Sequence, residues 1–223
     1  MITFHVITLF PESLESYLGA SIVRRAQERG QIAVKAYNPR DFAVPKKRGA
    51  KLTYADRRVD DRPYGGGPGM VMEALPVIKA IEKAIGRKKA KIIFFNPGGK
   101  QFTTAVADKL KTAKDIVLVS GRYEGIDARV KKAFPMMDIS IGEYTLTGGE
   151  LPAMVLIDAI TRRLPGVLGD DLSIEESRIS SHDVYTRPES FKYKGKTYKV
   201  PKILLGGHHE KIDEWKQSGK KRP

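Results

Sequence analysis

Short apolar runs alternate with amphipathic stretches along most of the chain. The apolar runs are rich in β-branched and aromatic side chains, which is typical of buried strands. These runs predict strands at residues 2–10, 31–37, 90–96, 115–120 and 137–141. Between them, apolar residues recur at helical spacing and predict helices from Pro11 to Gly30 and over residues 73–86, 102–113, 126–134 and 150–163. Strands that alternate with helices predict an α/β fold, with a mostly parallel sheet and helices on both faces.

Two stretches lack this periodicity. Residues 38–69 are long for a structureless connection, which suggests a segment that is functional, mobile or both. Residues 165–181 are polar and irregular and predict an interdomain linker. The remainder, residues 182–223, is short and basic, with one amphipathic helix predicted near 208–217. We therefore expect an α/β domain over residues 1–164, the linker, and a small, mainly helical C-terminal domain.

Composition removes several classes of function. The 223 residues are 41% hydrophobic, enough for a sizeable core, and include no cysteine. Disulfides, thiolate zinc sites and cysteine nucleophiles are therefore excluded. The apolar runs are much shorter than the ~20 residues of a membrane span. The first ten residues lack the basic segment of a secretory signal. We therefore expect no membrane association and a cytoplasmic location.

Charge points to a polyanionic partner. The formal net charge is +14 and the isoelectric point is near 9.8. The excess is clustered, with ten basic and three acidic residues from Lys192 to Arg222 and nine and four from Lys35 to Arg62. Such clusters favour nucleic acid as the partner. The alternative is a surface charge that serves solubility or thermal stability.

Glycine-bearing turns follow three of the predicted strands, at residues 97–99, 121–125 and 142–149. Ligands of open α/β sheets bind at the carboxyl ends of strands, and glycine allows close backbone approach. The three turns together predict a nucleotide-like pocket, although each alone is compatible with an ordinary connection.

The pocket loops do not resemble a polyphosphate site. Neither a G-x-x-x-x-G-K-[ST] run nor a G-x-G-x-x-G run after the first strand is present. Arg122 and Lys100 are offset by Glu124, Glu143 and Glu150. This balance favours an adenosine-containing ligand that is neutral or cationic, such as S-adenosylmethionine.

Five runs resemble those of the bacterial tRNA (guanine-N1)-methyltransferases. They are D-D-R-P-Y-G-G-G-P-G-M at 60–70, G-R-Y-E-G-I-D-A-R-V at 121–130, S-I-G-E-Y-T-L-T-G-G-E-L-P-A at 140–153, L-P-G-V-L-G at 164–169 and Y-T-R-P-E at 185–189. The resemblance implies a SPOUT-type fold with a deep trefoil knot, and S-adenosylmethionine bound by the knot loops. It implies a homodimer with active sites at the subunit interface. The implied reaction is methylation of N1 of the guanine immediately 3′ of the anticodon in tRNA.

The resemblance also implies a set of site residues. Glu176 matches the family's aspartate general base, and Arg162 matches an arginine that would neutralise charge developing on the guanine. Glu175 and Asp171 are alternative bases. Glu124 is expected near the sulfonium or ribose, with Tyr144 and Leu146 beside the adenine. The implied cofactor-binding residues are Phe94, Pro97, Gly121, Glu124, Ser140, Ile141, Gly142, Glu143, Tyr144, Thr145, Leu146, Gly148 and Gly149.

Two departures from the family bear on RNA binding. Residues 43–53 resemble a basic insertion, and the chain stops soon after the helix near 208–217, where the family usually continues. The C-terminal tRNA-binding domain is therefore expected to be truncated. We predict no protein metal site; the family's magnesium could bind through tRNA or substrate. Alternative functions are a knotted methyltransferase for another RNA position and a catalytically weak RNA-binding protein of the same fold.

Overall fold

A computed structural model of the chain describes residues 1–43, 57–168 and 183–218. The chain divides into two compact units, Met1–Val167 and Leu168–Pro223. This division lies close to the predicted end of the first domain at residue 164. Most of the predicted linker and of the basic insertion lie outside the described residues.

A five-stranded parallel sheet forms the centre of the first unit, with the strand order β2-β1-β6-β5-β7. Its strands are β1 (Ile2–Ile7), β2 (Ile32–Tyr37), β5 (Lys91–Gln101), β6 (Asp115–Val119) and β7 (Met137–Ser140). The short strands β3 (Asp60–Asp61) and β4 (Val71–Met72) pair antiparallel outside it. The predicted parallel sheet is thus confirmed; the trefoil knot stays a prediction.

Helices cover both faces of the sheet, as predicted. They are α1 (Glu15–Leu18), α2 (Ser21–Glu28), α3 (Ala74–Ile85), α4 (Thr104–Leu110), α5 (Arg129–Ala133) and α6 (Glu150–Thr161). The first unit has two hydrophobic cores, and alternate side chains of β6 pack into one or the other. Ile116 and Leu118 pack in the core that contains α2, α4 and α6 residues. Val117 and Val119 pack in the core that contains α3 and α5 residues.

Two predicted elements differ in the structure. The helix expected from Pro11 to Gly30 is interrupted: a 3-10 turn (Pro11–Leu14) precedes α1, and Ser21 at φ 47° starts α2 afresh. The left-handed backbone at Ser21 cannot continue a helix, yet the pieces keep Leu14, Leu18 and Val23 in the core. The predicted turn at residues 97–99 lies within β5, whose register with β7 shifts between Phe95 and Lys100.

His5, in β1, belongs to the core. Its imidazole is 1% exposed and lies 3.1 Å from the Tyr37 hydroxyl and 3.0 Å from Asp115 Oδ1. Lys88 Nζ donates to the same carboxylate at 3.1 Å. Burial opposes ionisation of Asp115, but the hydrogen bonds from His5 and Lys88 outweigh it and lower the pKa of that carboxyl. The cluster joins β1, β2 and β6.

The second unit contains the predicted helix, α7 (His209–Ser218), and a 3-10 turn at Lys202–Leu205. It also contains a hairpin that we did not predict, formed by β8 (Ser190–Tyr193) and β9 (Lys196–Lys199). Lys194 and Gly195 form its turn, with φ of 46° and 75°. Positive φ at both central residues is the type I′ geometry that suits a two-residue hairpin.

None of the helices in the described ranges has both the length and the apolar character required to cross a membrane.

Candidate active site

The ends of β5, β6 and β7 surround one cavity of about 400 Å³. Its walls come from the irregular end of β5, the loop from Gly121 to Ile126 and the loop from Ile141 to Gly149. The cavity lies at the carboxyl edge of the parallel sheet, where open α/β folds bind ligands. Its volume is within the range of small-molecule sites.

Nearly all of the predicted cofactor-binding residues line this cavity. The lining residues among them are Phe94, Pro97, Gly121, Glu124, Ser140, Ile141, Gly142, Tyr144, Thr145, Leu146, Gly148 and Gly149. Glu143 is the exception in the predicted set, because it is exposed and does not line the cavity. Asn96, Tyr123 and Lys131 also line the cavity, although the predicted set did not name them. Tyr123 could have been named from the sequence, since it lies inside the G-R-Y-E-G run.

An ion pair joins the cavity loop after β6 to the start of α6. Arg122 Nη2 lies 3.0 Å from Glu150 Oε2, and Glu150 is 4% exposed. The Thr8 hydroxyl donates to the other Glu150 oxygen at 2.7 Å. The Arg122 guanidinium also lies over the Phe10 ring, 4.5 Å from its centroid. Arg122 is therefore held by protein groups on several sides.

Lys131, the other cation at the cavity, is paired as well. Its ammonium lies 2.5 Å from Asp138 Oδ2 and 4.4 Å from the centroid of the Phe94 ring. Asn96 Nδ2 donates to the same carboxylate oxygen at 3.0 Å. Burial raises the pKa of Asp138, but these two hydrogen bonds outweigh it and the pKa is lowered. Both lining cations thus have carboxylate partners, which disfavours a polyphosphate ligand.

Close backbone packing at Gly149 shapes the cavity. A Cβ at this position would lie 2.5 Å from Ser120 Cα and 3.0 Å from the Gly121 nitrogen. The Gly149 amide donates to the Gly121 carbonyl at 3.0 Å, so the start of α6 lies against the end of β6. At Gly121 a Cβ would have ordinary contacts, 3.5 Å from the Phe94 ring.

The glycine-rich run at residues 65–69 lies beside the cavity loop. Gly69 has φ of +83°, and a Cβ there would lie 2.6 Å from Glu124 Oε1. The Glu124 amide donates to the Met70 carbonyl at 3.0 Å. This contact places the D-D-R-P-Y-G-G-G-P-G-M motif next to the G-R-Y-E-G motif. The two motifs therefore contribute to one region of the molecule.

Of the predicted catalytic pair, Arg162 does not line the cavity of this chain. Arg162 caps the C-terminal end of α6, whereas the N-terminal end of α6 lines the cavity. Twelve residues at ~1.5 Å each separate Glu150 from Arg162 by about 18 Å along the helix. Glu176 and the alternative bases Glu175 and Asp171 lie outside the described residues.

Among the residues that the structure describes, none of the His, Asp and Glu side chains form a group of three suited to a metal ion.

Comparison with known proteins identifies the family. The family model described as tRNA (Guanine-1)-methyltransferase TrmD matches residues 2–223. A tRNA (guanine-N(1)-)-methyltransferase of Dictyoglomus turgidum is 41% identical over 221 residues, covering 97% of this chain and 84% of that protein. Its counterpart in Pelotomaculum thermopropionicum is 44% identical over 219 residues, covering 95% and 82%.

A comparison with solved structures supports the same family. The tRNA (m1G37) methyltransferase of Aquifex aeolicus matches with a TM-score of 0.75 and 36% identity, over 96% of this chain and 87% of that one. The fold is therefore shared along nearly the whole length. This chain belongs to the tRNA (guanine-N1)-methyltransferase family.

Proposed function

We propose that this protein transfers the methyl group of S-adenosylmethionine to N1 of the guanine immediately 3′ of the anticodon in tRNA. The observation that carries the proposal is the cavity at the sheet edge, lined by the motifs of a family of tRNA methyltransferases. We place the activity in the cytoplasm. Any magnesium requirement would be met through tRNA or substrate, because magnesium often binds through phosphates of the substrate.

The cavity's chemistry supports S-adenosylmethionine as the cofactor. When bound, this cofactor supplies an electrophilic methyl group on a cationic sulfonium. Arg122 and Lys131 are paired with carboxylates, so they would not repel that charge. The Glu124 carboxylate is available to approach the sulfonium or the ribose. Tyr144 and Leu146, which are partly exposed at the cavity, offer apolar surface to the adenine.

Guanine N1 has to lose its proton to become a good nucleophile. We assign the general base to Glu176, with Glu175 and Asp171 as alternatives, because a carboxylate can accept that proton. As the proton leaves, negative charge develops toward guanine O6. We assign its stabilisation to the Arg162 guanidinium, since a cation placed there lowers the energy of the transition state.

These assignments require two copies of the chain. Arg162 lies about 18 Å along α6 from the cavity-lining end of the same helix. We propose a homodimer in which each active site combines the cavity of one copy with Arg162 and Glu176 of the other. The outer face of α6 supports a partner there, because Leu151 and Val155 are 56% and 44% exposed. Tyr17, 49% exposed, extends this face and its hydroxyl donates to Asp158.

Val155→Glu is expected to shift the protein from dimer to monomer and to abolish methyl transfer. The reason is that burying a carboxylate in an apolar contact without a partner is costly. Sedimentation velocity measures the first effect and a methyl-transfer assay the second. Val184→Glu is the matched control, because Val184 is 85% exposed in the second unit. A monomeric Val155→Glu protein with full activity would exclude the shared site.

Methyl transfer to tRNA is the direct test of the proposed reaction. Tritium from methyl-labelled S-adenosylmethionine should enter a tRNA transcript that has guanine after the anticodon. It should not enter the same transcript with adenine there. Labelling of both transcripts would indicate another RNA position. Binding of the guanine transcript without any labelling would indicate a catalytically weak RNA-binding protein.

A further inference from the structure

The hairpin of the second unit exposes an aromatic face. Residues directly opposite in an antiparallel pair share a face, and alternate residues of a strand lie on opposite faces. Phe191 pairs with Tyr198, and Tyr193 follows on the same side. The Phe191 and Tyr198 rings stack with centroids 5.3 Å apart and planes 14° apart. Phe191, Tyr193 and Tyr198 are 57%, 58% and 46% exposed, so much of their ring surface is open to solvent.

The hairpin sequence that carries these rings is rich in lysine. Between Ser190 and Lys202 the sequence contains five lysines and neither aspartate nor glutamate. By the strand alternation, Lys192 and Lys199 lie on the face opposite the rings, whereas Lys196 lies beside Tyr193. Lys194 in the turn has its ammonium 5.5 Å from the centroid of the Tyr193 ring. The hairpin thus combines flat aromatic surface with a border of cations.

From this combination we infer that the β8–β9 hairpin is an RNA-stacking surface for the substrate tRNA. Unpaired bases stack on Phe191, Tyr193 and Tyr198, while the lysines contact the neighbouring phosphates. Aromatic platforms with basic borders bind single-stranded nucleic acid in this way. In folded RNA, the bases available for such stacking are those of loops and ends. The inference rests on the proposed function only for the identity of the RNA.

RNA fits this face better than a protein partner does. The buried centres of protein interfaces are depleted in lysine, and covering several lysines with protein would require carboxylates opposite each of them. Phosphates of one RNA strand supply repeated negative charge at the spacing of its bases. The exposed aromatic rings alone would suit either partner, so the charge decides between them.

Tyr193→Ala tests the stacking contact. We expect tRNA affinity, measured by filter binding with the full chain, to fall about 10-fold, the effect of losing one base–aromatic stack. The slope of log affinity against log salt should stay the same, because no charge is lost. Tyr193→Phe keeps the ring and should restore the affinity. Val184→Ala, an exposed truncation in the same unit, is the matched control.

Lys196→Gln tests the ionic contact separately, because Lys196 lies beside Tyr193 on the face of the rings. It should weaken tRNA binding and reduce the magnitude of the salt slope by about 0.7 to 0.9. The unaltered chain should also prefer an unstructured RNA oligonucleotide to a blunt RNA duplex of the same length, and Tyr193→Ala should lose that preference. In methyl transfer, Tyr193→Ala should raise KM for tRNA and leave KM for S-adenosylmethionine unchanged.

Three results would overturn the inference. They are unchanged tRNA affinity in Tyr193→Ala, loss of affinity in Tyr193→Phe equal to that in Tyr193→Ala, and a Tyr193→Ala protein that loses dimerisation rather than RNA binding. The last would assign the face to a protein contact. Circular dichroism of each variant checks that the hairpin is intact. RNA binding through the hairpin in a protein without methyl transfer would refute the proposed reaction but not this surface.

Discussion

Gly149→Ala is expected to weaken the binding of S-adenosylmethionine by about 10- to 100-fold. The added methyl would lie 2.5 Å from Ser120 Cα, which is backbone and cannot rotate away. The start of α6 would have to separate from the end of β6, at a cost of ~1–3 kcal/mol for forced overpacking. Each ~1.4 kcal/mol corresponds to a tenfold change in affinity. Isothermal titration calorimetry measures the affinity, and thermal unfolding shows whether the variant is folded.

Gly98→Ala is the control for this substitution. It adds the same methyl near the same cavity, but the nearest atom would be the Asn96 side-chain oxygen at an ordinary 3.7 Å. We expect this variant to bind S-adenosylmethionine like the unaltered chain. Equal loss of affinity in both variants would mean that any change near the cavity disturbs it, and Gly149 would have no special role.

Much of the first unit could be predicted because its strands are buried on both faces. Such strands are continuous apolar runs, and the amphipathic helices between them have the 3.6-residue period. Because the strands are parallel, their carboxyl ends meet at one edge of the sheet. That rule, with three glycine-bearing loops, was enough to predict a pocket before any resemblance was considered.

The ion pairs of the cavity were not predictable in the same way. Arg122 and Glu150 are far apart in sequence, and their contact depends on how the loop after β6 packs against the start of α6. Lys131 reaches the cavity from α5, whose sequence only indicates an exposed cation. The count of charged residues in the pocket loops correctly predicted that cations near the pocket are offset by carboxylates. It could not tell which groups are paired, because pairing is a property of the tertiary structure.

The hairpin of the second unit had a sequence signal that we did not use. High strand propensity is found at Phe191, Tyr193, Thr197 and Tyr198. Between these residues, Lys194-Gly195 suits a two-residue turn. The many lysines between them are typical of an irregular basic segment, and this obscured the pattern. An exposed two-stranded sheet has no buried face that would make one side of its sequence apolar.

Glu176→Gln is expected to slow the chemical step by ~100-fold or more, because the amide cannot accept the guanine proton. Single-turnover methyl transfer measures this step. Glu176→Asp introduces the aspartate that the resemblance to the family implies at this position, and it should keep or raise the rate. The affinity for S-adenosylmethionine should be unchanged in both variants, since Glu176 is not a residue of the cavity loops. Full activity in Glu176→Gln would transfer the role to Glu175 or Asp171.

A mixture of two impaired variants, assayed at an S-adenosylmethionine concentration too low to occupy the Gly149→Ala cavity, extends this test to the dimer. One copy with Glu176→Gln retains an intact cavity, and one copy with Gly149→Ala retains Glu176. If each site uses the cavity of one copy and the base of the other, a heterodimer contains one site with both parts intact. Methyl transfer should therefore return when the two proteins are mixed and allowed to exchange subunits. Heterodimers that are verified by differential tags and remain inactive would show that each site is built from a single chain.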